Sequence, residues 1–188
     1  MKNYFIIHGS FGNPFCNWIP WLYKEAQNLW GGVDQSICYV PHFPTGVGLQ
    51  NYDNWEKILL SYVDSGLLGE NTTIFAHSIA PIFVCKFLVK HKIKVGKLIF
   101  VCGFNNYFGI NEEYDEVNKT MYFDELAKVK VCANEIVCIY SDNDPYVIYE
   151  KEKEFADSIA TKQIVIEGGK HLNKEAGYDE FPLLKEFL

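Results

Sequence analysis

No stretch of this chain approaches the roughly 18 consecutive apolar residues that a helix needs to cross a bilayer. The short apolar start at residues 4–7 is too brief for the core of a secretory leader, and no small-residue cleavage site follows it. These absences point to a cytoplasmic protein with no membrane partner. Positive charge is also in deficit. Seventeen lysine and arginine residues stand against 24 acidic ones, for a formal net charge of -7, so the surface as a whole repels nucleic acid and acidic membranes. Six cysteines are scattered, mostly inside apolar runs, with neither a C-x-x-C pair nor a cysteine and histidine at metal-ligand spacing. They read as buried thiols in a reducing compartment, and no metal is expected. Internal repeats, low-complexity tracts and linkers are missing too, so residues 1–188 are expected to form one domain.

What is present is apolar material in short, regularly spaced pieces. Runs rich in β-branched and aromatic residues recur at 3–8, 36–40, 72–76, 97–101, 135–140 and 163–166. Stretches of helical length lie between and after them, at 18–30, 52–65, 79–90, 124–130, 147–160 and 178–188. This alternation predicts an α/β fold. The strand runs are nearly continuous in apolar residues, as expected when helices cover both faces of a parallel sheet. Right-handed crossovers then gather the strands' C-terminal ends on one edge, where ligands of open α/β sheets bind. The long stretch 104–123, carrying Asn105, Asn106, Gly109, Asn111 and Asn118, follows the fourth strand and reads as an irregular loop. It is either a rim or flap over a pocket or a plain surface excursion. The acidic cluster Glu112, Glu113, Asp115 and Glu116 within it reads as solvated.

Chemistry is suggested first by Ala76-His77-Ser78-Ile79-Ala80, where a strand-like run meets a helix-like one. A sharp strand-to-helix turn lifts a serine oxygen above the sheet edge and needs small residues two before and two after it. A serine hydroxyl is a weak nucleophile near neutral pH and needs an imidazole to take its proton and a carboxylate to hold that imidazole. After the fifth run stand Asp142 and Asp144, and after the sixth Gly168-Gly169-Lys170-His171. His171 is the expected general base. Asp144 is the expected acid partner, because Pro145 stiffens its turn, whereas Asp142 can hydrogen-bond its own turn backbone. The order Ser, Asp, His is that of α/β-hydrolases. The oxyanion hole is expected from the N–H of Ile79 and from the N–H of Ser10 or Phe11 in the loop His8-Gly9-Ser10-Phe11-Gly12. His8 is then structural, and His42, His77 and His91 carry no catalytic role.

These segments, together with Trp18 and Trp21, resemble the small serine hydrolases related to retinoblastoma-binding protein nine, over nearly the whole chain. The resemblance implies a compact, essentially lidless three-layer α/β-hydrolase with a six-stranded parallel sheet of order 2-1-3-4-5-6, no cofactor, and Ser78, Asp144 and His171 as the triad. The chain departs from the wider superfamily in placing alanine, not glycine, at 76 and 80.

The expected activity is hydrolysis of a small ester or activated amide through an acyl-enzyme. Trp18, Phe104, Tyr107 and Tyr146 are candidate pocket residues, with Phe11, Trp21 and Phe108 nearby; tryptophans at helical spacing, as these two are, more often pack against the sheet than line a pocket. Small acyl groups or aromatic esters would suit such a pocket. Two other readings stand beside this one. The first is a protein-interaction module that keeps a hydrolase fold without physiological turnover. The second is an acyltransferase or carbon-carbon lyase using the same three residues.

Overall fold

A computed structural model of the chain describes residues 2–28, 36–107 and 109–188. Trp30, the expected end of the first helix, and Phe108 lie outside them. Six strands form one sheet: β1 (Lys2–Ile7), β2 (Ser36–Tyr39), β3 (Thr72–His77), β4 (Val95–Val101), β5 (Ala133–Ser141) and β6 (Lys162–Ile166). Every pairing is parallel, and the order is β2-β1-β3-β4-β5-β6, as the resemblance implies. The helices are α1 (Ile19–Asn28), α2 (Tyr52–Asp64), α3 (Ala80–His91), α4 (Glu112–Asn118) and α5 (Tyr149–Ile159).

Alternate residues of each strand serve opposite faces. Phe5, Ile7, Ile74, Ala76, Leu98 and Phe100 belong to one apolar cluster with Trp55, Phe83, Leu88 and Phe155 of α2, α3 and α5. Tyr4, Ile6, Phe75, Ile99 and Val101 belong to the other, with Ile19, Leu22 and Ala26 of α1 and Leu184 and Phe187 near the C-terminus. All six residues of β3 are buried, which explains its unbroken apolar run. Among the described residues no helix is long and apolar enough to cross a membrane.

Three expectations are corrected. Stretch 104–123 is not wholly irregular, because it contains α4: Asn111 caps the helix by accepting from the Tyr114 N–H, and Glu112, Glu113 and Asp115 fill the first turn, where the helix dipole favours negative charge. The acidic cluster is therefore a helix start. The expected helices at 124–130 and 178–188 form only short 3-10 helices, Leu126–Val131 and Pro182–Phe187.

The chain runs outward from β1 to β2, then returns to place β3 on β1's other side. Strand order reverses between β1 and β3, so the loops leaving these two strands open side by side.

Candidate active site

Ser78 follows β3 directly with φ of 61°, a left-handed conformation that is strained for a residue bearing a Cβ. Its N–H donates to the Val101 carbonyl at 2.9 Å, continuing the ladder with β4, and α3 begins at Ala80 with Pro81 in its first turn. The backbone is thus held from both sides while Oγ projects above the sheet edge. Gly9 packs against this turn: a Cβ built on it would lie 2.7 Å from Ser78 Cβ and 3.3 Å from Ser78 Oγ. Gly9→Ala is expected to force these loops apart and lower stability by about 1–3 kcal/mol. Denaturant unfolding of the two proteins measures this, and equal midpoints would contradict the close approach.

His171 comes from the loop after β6, which turns through Gly168 (φ 69°) and Lys170 (φ 51°). Its carbonyl accepts from His77 Nε2 at 3.0 Å, and the next carbonyl, of Leu172, accepts from the Trp18 indole at 3.0 Å. The backbone that carries the imidazole is therefore gripped at two successive residues. Asp142 Oδ1 accepts from Gly168 N–H at 2.8 Å, and Asn143 Oδ1 accepts from Lys170 N–H at 2.8 Å, tying the β5 and β6 loops together.

These supports bring Ser78, His171 and Asp144 into line. His171 Nδ1 lies 2.5 Å from Asp144 Oδ2, and Nε2 lies 3.2 Å from Ser78 Oγ. An ionised carboxylate only accepts, so Nδ1 carries the proton and Nε2 offers its lone pair to the serine hydroxyl. The other Asp144 oxygen accepts from the N–H groups of Tyr146 (2.7 Å) and Val147 (3.1 Å). Burial by itself would raise the Asp144 carboxyl, but the bond and charge of His171 and these two N–H groups outweigh it and hold the carboxyl below its ordinary value. Asp144 is charged, and Asp142 is occupied elsewhere.

The remaining expected positions are arranged as follows. Ile79 is the N-cap of α3, next to Ser78. Phe11 N–H is already donating to Gln50 Oε1 at 3.2 Å, which leaves Ser10 as the candidate in that loop. His8 accepts from Phe43 N–H at Nε2 and bonds the Gly9 carbonyl through Nδ1, fastening the loop after β1. Phe104, Tyr146, Ser10, Ser78 and His171 border one cavity of about 130 Å³. Trp18 does not: it is wholly buried under the His171 loop, its indole committed to Leu172. Tyr107 does not either, because its ring packs against the larger apolar cluster.

Sequence spacing concealed a set of buried groups beneath the triad. Ligand-capable atoms of His77, Cys102 and His171 lie within 4.8 Å of one another, as do those of Cys102, Asp144 and Glu152. Each set is drawn from different strands, loops and helices, so no local motif announces it. A metal at either would have to break the contact between His171 and Asp144 and ionise Cys102, whose thiol burial pushes well above its ordinary value. His77, fully buried, is lowered to about 3, by burial first and then by His171. Glu152 is 1 % exposed, with its carboxyl close to Cys102 and Asp144. Burial, and then the charge of Asp144, raise it to about 9, so it is neutral.

The sequence profile of the serine hydrolase family matches residues 4–188. No curated protein matches the chain. Among solved structures, the chain is similar to the ydeN gene product from B. subtilis, at 23 % identity and a TM-score of 0.83, covering 100 % of this chain and 96 % of that one. It is similar to Est1E from Butyrivibrio proteoclasticus (14 % identity, TM-score 0.69, 99 % and 84 % covered). It is also similar to the serine hydrolase CCSP0084 from Cycloclasticus zankles (11 % identity, TM-score 0.70, 100 % and 89 % covered). At such identities these likenesses speak for a common α/β-hydrolase fold.

Proposed function

The chain belongs to the serine hydrolase family, and from that premise we propose that it cleaves a small ester or activated amide through an acyl-enzyme formed on Ser78. The observation that carries the reading is the line from Ser78 Oγ through the His171 ring to Asp144, with distances of 3.2 and 2.5 Å. In the first half-reaction, Oγ attacks the scissile carbonyl while His171 Nε2 takes its proton. The imidazolium so formed is stabilised by Asp144 and returns the proton to the leaving group. In the second, water attacks the acyl-enzyme by the same route in reverse. The N–H groups of Ile79 and Ser10 hold the oxyanion.

The cavity bears on the substrate. Pockets for drug-sized ligands run to about 300–1,000 Å³, and about 130 Å³ suits a short acyl group. One solved structure of Est1E has ferulic acid bound, and an acyl group of that size would have to extend beyond this cavity. Small acyl groups are therefore favoured over aromatic ones.

Labelling with a fluorophosphonate, followed by peptide mapping, tests the mechanism. The expected result is a single adduct on Ser78 and loss of esterase activity in step with it. Absence of an adduct on folded protein would favour the interaction-module reading.

A further inference from the structure

Asn118 closes α4 and is 1 % exposed, yet it borders the same cavity as Ser78 and His171. Its neighbours fix which way its amide faces. Phe11 N–H donates to Gln50 Oε1 at 3.2 Å, so the other arm of Gln50 is its NH2 group. That group donates to Asn118 Oδ1 at 2.9 Å and to Ser10 Oγ at 3.1 Å, and the Ser10 hydroxyl donates to the same Asn118 oxygen at 2.7 Å. Reversing the Asn118 amide would set its NH2 against the NH2 of Gln50. The oxygen is therefore saturated, and Nδ2 is left buried without a partner. Native structures seldom keep such a group without a use for it. Among the described residues, several buried side-chain polar atoms lack a partner, and Asn118 alone of their residues lines this cavity.

We propose that Asn118 is a specificity-determining residue. Its side-chain NH2 donates a hydrogen bond to an oxygen on the acyl part of the substrate. The inference rests on the acyl-enzyme reading above. Asn118 is bonded to Ser10, whose loop is assigned the carbonyl oxygen, so the substrate atoms nearest to it are those joined to that carbonyl within the cavity. A buried polar group that a substrate satisfies discriminates strongly against an analogue that leaves it unpaired. The preferred class is thus a short acyl group bearing an ether, hydroxyl or carbonyl oxygen, over a hydrocarbon acyl group of equal length.

The probes are two matched pairs of p-nitrophenyl esters: methoxyacetate against butyrate, and 3-methoxypropionate against pentanoate. Within each pair one methylene becomes an ether oxygen. The intrinsic reactivities differ, so the quantity compared is the kcat/KM ratio within a pair, wild type against variant. Asn118→Leu and Asn118→Asp remove the donor at nearly constant shape, and Asn118→Ala serves if neither folds. The expected result is a fall of about tenfold in the ether-to-hydrocarbon ratio for at least one pair. Ratios unchanged for both pairs in a folded variant would overturn the proposal and leave the hydrolase mechanism standing. A wild-type protein that turned over none of the four esters and took no fluorophosphonate on Ser78 would instead bring down the mechanism, and this inference with it.

Discussion

Ser78→Ala is expected to lower ester turnover by roughly a thousandfold or more, with little change in stability. The size follows from the division of labour at the site. In the proposed mechanism His171 and Asp144 act by moving the proton of the serine hydroxyl, so removing that hydroxyl idles all three at once. What remains is whatever the oxyanion donors and substrate positioning achieve with water as nucleophile. The Ser78 side chain is small and its backbone bond to Val101 does not involve Oγ, so the variant should fold as the wild type does. The left-handed backbone at this position penalises alanine and serine alike. Steady-state kinetics on a short-chain ester, with melting curves of both proteins, read the two effects separately. Near-wild-type turnover in a pure preparation would exclude Ser78 as nucleophile.

Glu152→Gln is expected to stabilise the protein, and increasingly so as pH rises. The folded-state value of Glu152 is raised, from the ordinary 4.5 to about 9. Below about 4.5 both folded and unfolded states hold the proton, and the residue imposes no penalty. Above it the unfolded state releases the proton while the folded state must keep it, so stability falls by about 1.4 kcal/mol per pH unit until the folded carboxyl itself ionises near 9. At pH 7 the accumulated loss is on the order of 3 kcal/mol. Glutamine fills the same space without ionising and removes that slope. Thermal unfolding of both proteins at pH 5 and pH 8 checks the sign, since the pH dependence of every other group largely cancels in the difference. A gain of roughly 10–20 °C at pH 8 and at most a few degrees at pH 5 is expected; a difference that did not grow with pH would mean that Glu152 is already ionised or already paired.

How far the sequence could be read depended on whether the determining interactions were local. The strands were legible because each is an apolar run closed off by polar or glycine-rich residues, and the strand-to-helix turn at Ser78 because its demand for small residues falls on Ala76 and Ala80, two positions to either side. Asp144 and His171 were legible as residues just past strands. α4 was missed because the stretch around it is rich in asparagine, with Gly109 just before it, although Asn111 followed by Glu112, Glu113 and Asp115 is itself a helix-start signal. Glu152 sits in the run Glu150-Lys151-Glu152-Lys153-Glu154, which resembles a solvated face. Yet it shares the spacing i, i+3, i+4, i+7 with Phe155, Ala156 and Ile159, and all four are buried. The bonds from Gln50 to Asn118 and from Trp18 to Leu172 join residues 68 and 154 positions apart. No local pattern encodes such a pair, so Trp18 could be weighed for the pocket while its indole belonged to the histidine loop.

The separation in sequence of the three aligned residues also sets an order of events during synthesis. Ser78 and its elbow require only β1, β3 and β4 to be in place, whereas the bond to His171 spans 93 positions and waits for the β6 loop to dock onto Trp18 and His77. A nascent chain that has folded its first four strands therefore exposes a serine without a base. On the proposed mechanism, Ser78 gains its base only when the segment carrying His171 seats against Trp18 and His77.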